Sequence, residues 1–131
     1  MATFKKFEDI IASQQAKAFC AEQKKYFPLY IQAREYDLLN QLKRSSGSAM
    51  DNIAEGFGRM GNAEFRNFLT IAPGSIQESI SQLYRSFDWE VISKDQFDSL
   101  KPIAEEVERL IFSLINHLSQ IEYKGIKFRG S

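Results

Sequence analysis

The chain is poor in the residues that build covalent cross-links and metal centres, with 1 cysteine and 1 histidine among 131 residues. A single thiol, Cys20, cannot form an internal disulfide, so nothing in the sequence indicates an oxidising compartment. The lone histidine, His117, follows Leu114 by three positions, and the Glu-x-x-His motifs of di-metal helical bundles are therefore absent from the sequence. We expect no metal and no cofactor.

Extended apolar segments and a surplus of either charge are also missing. No stretch approaches the roughly 20 apolar residues that span a bilayer, and the N-terminal residues 1–6 lack the apolar run of a signal peptide. The 17 basic and 17 acidic residues cancel, whereas nucleic-acid-binding domains normally carry a basic surplus. We expect a cytoplasmic protein with no membrane partner, in which any nucleic-acid contact comes from a local basic patch.

No catalytic constellation is recognisable. A pair formed by Cys20 and His117 would need an orienting partner that the sequence does not identify. The run from Gly56 to Gly61 resembles a dinucleotide-binding fingerprint, but it follows a helical pattern where the fingerprint requires a strand. We therefore expect no catalytic residue, no enzymatic activity and no small-molecule substrate.

The chain does have strong helical periodicity. Hydrophobic residues form 44% of the chain and recur at steps of three and four in four segments, roughly 7–25, 35–57, 63–87 and 93–121. No strand-like alternation of useful length appears. The pattern predicts an all-α fold, an antiparallel up-down four-helix bundle over residues 1–123. Residues 124–131 contain two glycines and no apolar period, and they are predicted to form a flexible C-terminal tail.

Proline, glycine and capping residues mark the ends and one bend of these segments. Pro28 ends the first, and Pro73 predicts a kink within one bent third helix, since the apolar stripe stays in phase on both sides. Gly47 lies inside the second, where we expect a continuous helix closely approached by a neighbouring backbone; the alternative is a loop that splits the helix. Asn62 and Ser93 are the predicted N-caps of the third and fourth helices.

A polar set lies where the second and third segments meet. Asn52, Glu55 and Arg59 are three and four residues apart and can share one helix face, with Glu N-terminal to Arg as such pairs prefer. If this face is partly buried, these groups need each other or partners on the next helix, such as Arg66 or Glu78. We expect a structural polar network of these five residues; an exposed ion pair and a ligand site are the alternatives.

The residues around this junction resemble those of the small four-helix-bundle proteins encoded in intervening sequences of bacterial 23S ribosomal RNA genes. Met50 departs from the family pattern, which usually has proline there, and Pro73 replaces a lysine or similar residue. The matching positions fall into two groups: Ser48, Asn52, Ile53, Ala54, Glu55, Gly56, Gly58 and Arg59, then Glu64, Phe65, Phe68, Leu69, Ile71, Ala72, Gly74, Ser75 and Glu78.

The resemblance implies a left-handed up-down bundle that assembles into a ring-shaped homo-oligomer, a pentamer, with no enzymatic activity. It also implies a relation to the accessory protein of diversity-generating retroelements, which binds a reverse transcriptase and nucleic acid. We therefore expect a self-associating scaffold for RNA or an RNA-handling protein, and a protein-only interaction adaptor is the alternative. The candidate nucleic-acid contacts are basic residues, namely Lys5, Lys6, Lys24, Lys25, Lys43 and Arg44.

Overall fold

A computed structural model describes the backbone at residues 10–59 and 61–129, and the side chains at residues 10–59, 61 and 63–121. The described residues form helices and no strand, which confirms the predicted all-α class. The elements are α1 (Ile11–Lys24), α2 (Phe27–Gln32), α3 (Tyr36–Gly58), α4 (Asn62–Leu69), α5 (Ala72–Asp88) and α6 (Lys94–Arg129).

Four rods pack side by side, with α4 and α5 together forming the third. The first rod, α1, packs against α3 and α6, and the third rod lies against the same two helices. Hydrogen bonds show that α3 and α5 run in opposite directions, because Gln41 pairs with Arg85, whereas Ser48, seven residues later, pairs with Ser75. These contacts confirm the predicted helical bundle and its antiparallel arrangement.

The core lies between the four rods. Each contributes large side chains that are excluded from solvent, including Phe19 of α1, Leu42 of α3, Ile76 of α5 and Ile111 of α6. Burying an aliphatic or aromatic side chain of this size is worth about 1.5–3 kcal/mol. The apolar stripes that predicted the helices are therefore the surfaces that hold them together.

Two chain breaks differ from the prediction in detail. Pro28 does not merely end the first helix; it occupies the first turn of a short helix, α2, where the missing proline N–H has no helical acceptor to lose. The bend predicted near Pro73 is confirmed, but the helix is interrupted just before it, at Thr70 and Ile71. Pro73 then stands in the first turn of α5.

The two predictions for Gly47 have different outcomes. α3 is continuous through this residue, so the loop alternative is wrong. The expected close approach of a neighbouring backbone is also wrong within the chain, since a Cβ built on Gly47 meets no atom of the described residues within 4 Å. A close approach occurs instead nine residues later in the same helix, at Gly56.

The two predicted N-caps also have different outcomes. Ser93 caps α6: its Oγ accepts from the Gln96 N–H at 3.2 Å, and Gln96 Oε1 accepts from the Ser93 N–H at 2.8 Å, a reciprocal capping box. At α4 the prediction is one residue off, because the helix begins at Asn62 and the cap is Gly61. Gly61 has φ of +103°, a conformation that glycine adopts without a steric penalty. The backbone of α6 is helical to Arg129, and flexibility of residues 124–131 stays a prediction.

Candidate functional site

Gly56 sets the geometry of the junction between α3 and α4. A Cβ on Gly56 would lie 2.9 Å from Cδ1 of Phe65 and 2.9 Å from Cβ of Phe68. The absence of a side chain therefore lets α4 cross directly over the end of α3. Phe65 also meets Phe57 edge-to-face, with the ring centroids 5.9 Å apart. The junction between α3 and α4 is thus a place of close packing.

Glu55 and Arg59 form an ion pair on the outside of this junction. Arg59 Nη2 donates to Glu55 Oε1 at 2.9 Å, and the side chains of Arg59 and Glu55 are 47% and 56% exposed. The Arg59 guanidinium also lies over the Phe68 ring, 4.7 Å from its centroid, which favours the orientation of the arginine. Together with Asp51, Ala54 and Gly58 the pair lines an open surface depression.

Asn52 belongs to a different set of contacts. Its Nδ2 donates to the Ser48 carbonyl at 2.8 Å and to Ser48 Oγ at 3.1 Å. Ser48 Oγ in turn lies 2.9 Å from Ser75 Oγ on α5. Asn52 therefore orients Ser48, which joins α3 to α5, and it takes no part in the Glu55–Arg59 hydrogen bond.

A second hydroxyl cluster lies deeper between α3 and α5. Ser45 Oγ is 2.6 Å from Gln82 Oε1 and 2.7 Å from Ser79 Oγ, and all three residues are buried. A hydroxyl has one proton, and the shortest contact uses it: Ser45 donates to Gln82, which leaves Ser79 as the donor to Ser45. This polar seam was not predicted from the sequence. Its signal was the spacing of Ser75, Ser79 and Gln82 along the apolar stripe of α5.

The groove above this seam holds another of the predicted residues. Glu78 is exposed and lines the groove with Arg44 of α3, over a floor that includes Ser45, Ser48 and Ser75. Arg66 is half-buried on α4. The hydrogen bonds of the described side chains thus separate Asn52 from the Glu55–Arg59 pair. Glu78 lies beside α3 as part of the groove lining.

Comparison with known proteins identifies the family to which the chain belongs and a solved structure with a similar fold. Residues 8–113 match the family model described as 23S rRNA-intervening sequence protein. The chain belongs to the 23S rRNA-intervening sequence protein family. A similar solved structure is a protein of unknown function from the S23 ribosomal protein family of Bacteroides thetaiotaomicron, with 25% identity and a TM-score of 0.74. The match covers 80% of this chain and 98% of that one. No curated protein matches.

The candidate nucleic-acid contacts of this family member are spread over the N-terminal half. Lys24 and Lys25 are exposed at the end of α1, where Lys25 Nζ donates to Glu22 Oε2 at 2.8 Å. Lys43 is exposed on α3, with its Nζ 5.4 Å from the centroid of the Phe27 ring. Arg44 beside it borders the groove to α5. Lys5 and Lys6 lie outside the described residues.

The two side chains considered for catalysis, Cys20 and His117, lie on different helices, α1 and α6. Cys20 is half-buried, and burial raises the pKa of its thiol, while a hydrogen bond with Ser46 opposes the shift. His117 is exposed on α6. Within residues 10–59 and 61–129 no three His, Cys, Asp or Glu side chains are placed to hold a metal ion. None of the described helices is long and apolar enough to cross a membrane.

Proposed function

We propose that the chain is a non-enzymatic helical scaffold that associates with copies of itself into a ring, a pentamer, and presents that ring to RNA or to an RNA-handling protein. One observation carries the proposal: the residues that match the family pattern divide into buried and exposed sets. Ile53 and Gly56 are buried and have a packing role inside the chain. Glu55 and Arg59 are exposed.

An exposed ion pair of this kind contributes little to the stability of a single chain, about 0–1 kcal/mol. Apart from the stacking of Arg59 on the Phe68 ring, packing within the monomer gives no reason for this charge arrangement at the end of α3, whereas contact with another molecule does. The family pattern is then explained in two parts: the buried residues build the junction, and the exposed residues beside it serve an interface.

The self-association half is tested by mass. Native mass spectrometry of the wild type is expected to show about five times the chain mass of 15.1 kDa. Glu55→Ala and Arg59→Ala should shift the distribution towards smaller species. Lys94→Ala is the matched control, because Lys94 also forms an exposed i,i+4 pair, with Asp98 on α6. A wild type that stays a single chain at high concentration would contradict self-association. Equal masses for all variants would show that the Glu55–Arg59 pair has no part in it.

The RNA half is supported by the exposure of Lys24, Lys25, Lys43 and Arg44. A ring repeats each basic contact in every copy, which raises avidity without a basic surplus in any one chain. Phosphate contacts release counterions, so binding must weaken as salt rises. The relation to the retroelement accessory protein stays a prediction.

Fluorescence anisotropy with a labelled RNA hairpin tests this half across a salt series. The wild type should bind at low salt, and the affinity should fall linearly on a log–log plot. The double variant Lys24→Gln/Lys43→Gln should bind more weakly and with a shallower salt slope, while Lys94→Gln should match the wild type. The absence of binding at low salt, where electrostatic contacts are strongest, removes RNA as a direct partner.

A protein-only adaptor is the second candidate, and a different surface favours it. Ile31, Tyr36 and Trp89 are large apolar side chains about half exposed. They lie at the same end of the bundle, because the Tyr30–Ser86 hydrogen bond joins α2 to the end of α5. Aromatic side chains are enriched at protein interfaces. A pull-down that recovers one protein after nuclease treatment, and that Trp89→Ser abolishes, would support this role; a pull-down lost on nuclease treatment would exclude it.

A further inference from the structure

The outer face of α3 is a charged helix surface that no other part of the described chain covers. We use this name for the residues that point away from the core along the whole helix. They recur every three or four positions and are exposed or half-exposed. These residues are Asp37, Asn40, Arg44, Gly47, Asp51, Ala54 and Gly58.

The shape of the outer face is symmetric about its middle. One open depression lies on the N-terminal side, between Asp37 and Arg44, and a second lies on the C-terminal side, between Asp51 and Arg59. Between them stands Gly47, where an added Cβ would meet no described atom within 4 Å. A glycine inside a helix destabilises it by roughly 0.5–1 kcal/mol relative to alanine, and nothing within the chain uses the space that Gly47 leaves.

The order of charges along this face is complementary to itself about a two-fold axis. Asp37, Arg44 and Asp51 alternate in sign at steps of seven residues, about two helical turns. In an antiparallel pair of α3 helices that cross between Gly47 and Ser48, Arg44 lies level with the partner's Asp51. Both residues are about 5 Å along the axis from the crossing point, from the helical rise of 1.5 Å per residue.

The same register brings Asp37 level with the partner's Gly58, at the edge of the contact. The Glu55–Arg59 pair, which is proposed for the ring, keeps its own partner within the chain. A two-fold axis makes every such contact twice. A parallel pair in register would instead place each charge against its own kind. A parallel pair shifted by seven residues would also bring opposite charges level, but it has no two-fold axis and leaves unpaired ends. The closed arrangement is the antiparallel pair, with the small residue Gly47 at the crossing, where two backbones approach most closely.

We propose that the outer face of α3 is a docking surface for a second copy of this chain, packed antiparallel about a two-fold axis near Gly47. The proposal rests on the proposed self-association and names one surface of it. Because the contact pairs a surface with itself, it differs from the ring contacts, which pair two unlike surfaces. It joins chains of two rings, or two free chains.

Charge reversal tests the register. Arg44→Asp and Asp51→Arg each place like charges opposite one another twice, so each should weaken pairing at low salt by about tenfold, as expected for losing and inverting two ion pairs. The double variant Arg44→Asp/Asp51→Arg should restore it. An equal mixture of the two single variants should also restore it, because each then meets the opposite charge. Sedimentation equilibrium measures the pairing, and Lys94→Asp on α6 is the control.

Gly47→Gln tests the crossing point independently of charge. Glutamine is a better helix former than glycine and its Cβ meets open space, so the melting temperature of the dilute single chain should rise or stay equal. The longer side chain should nevertheless abolish pairing. A loss of pairing through misfolding would instead lower that melting temperature, which circular dichroism on the same samples would show.

The outcomes separate this inference from the proposal on which it rests. A wild type that never self-associates overturns both. A wild type that self-associates with the same masses as Arg44→Asp, Asp51→Arg and Gly47→Gln overturns only the α3 surface. Unchanged masses together with lost RNA binding by Arg44→Asp would assign the face to RNA and equally overturn the inference.

Discussion

The Tyr30 hydroxyl donates a hydrogen bond to Ser86 Oγ at 2.8 Å, and both residues are buried. Ser86 Oγ in turn donates a hydrogen bond to the Gln82 backbone carbonyl at 2.7 Å. This chain of donors connects α2, which was not predicted, to the last turns of α5. It explains how a six-residue helix too short to be stable alone is held against the bundle.

Tyr30→Phe should lower the free energy of unfolding at pH 7 by about 0.5–1.5 kcal/mol, because it removes one donor and keeps the ring. Burial raises the pKa of Tyr30, so the neutral phenol is favoured in the folded state. The wild type should keep this contribution below the ordinary tyrosine pKa of about 10 and lose it as the pH rises further. The difference between Tyr30→Phe and the wild type should therefore shrink in alkali.

Urea unfolding at pH 7 and at several alkaline pH values measures both effects. Tyr36→Phe is the matched control, since Tyr36 is exposed and close to Tyr30 in the chain. It should change the free energy of unfolding at neither end of the series. A difference between Tyr30→Phe and the wild type that stays constant through the alkaline range would contradict the buried-phenol explanation.

Gly56→Ala tests the close approach of α3 and α4. The new Cβ would come within 2.9 Å of two phenylalanine side-chain atoms and 3.1 Å from the Phe65 carbonyl oxygen, so a backbone shift is required. Overpacking of this kind lowers the free energy of unfolding by about 1–3 kcal/mol. Thermal melts measure it. Gly74→Ala, where an added Cβ meets no described atom within 4 Å, should instead stabilise α5 by up to about 1 kcal/mol, and equal effects would refute the argument.

These contacts show what the sequence could and could not predict. α3 and α6 were recognised because their buried positions are mostly apolar, and apolar spacing is the strongest single-sequence signal of a helix. Gly56 was recognised as part of a tight junction from its place at a helix end. The bundle class followed from these signals together.

The remaining features depend on tertiary partners. Ser45, Ser79 and Gln82 are buried, yet a polar residue on a helix is indistinguishable in sequence from a solvated one until its partner is known. Glu55 and Arg59 have the spacing of an ion pair in either environment, so burial had to come from the structure. The sequence predicted a kink at Pro73 within one helix, whereas the helix is interrupted at Thr70 and Ile71. The two cases could not be told apart because a proline is compatible with the first turn of a helix as well as with a kink.

Ser45→Ala tests the polar seam. The change removes the donor to Gln82 Oε1 and the acceptor for Ser79, whose hydroxyl keeps a carbonyl acceptor on its own helix at 3.3 Å. It leaves the buried Gln82 oxygen short of a partner and should lower the free energy of unfolding by about 1–3 kcal/mol. Ser99→Ala is the control, because Ser99 Oγ donates only to the Asp95 carbonyl on an exposed part of α6. Chemical unfolding of both variants compares them, and a Ser45→Ala variant as stable as Ser99→Ala would show that the seam has no net worth.

Gln23 presents the opposite case, a buried polar group whose removal should help. Its side chain is 1% exposed at the end of α1, and its Nε2 has no hydrogen-bond partner among the described residues. An unpaired buried amide is unfavourable by about 1–3 kcal/mol, and methionine has similar length and flexibility without polar atoms. Gln23→Met should therefore raise the free energy of unfolding by about 1 kcal/mol. Gln32→Met, at an exposed position of α2, should leave it unchanged, and a less stable Gln23→Met would mean that the amide is paired in solution.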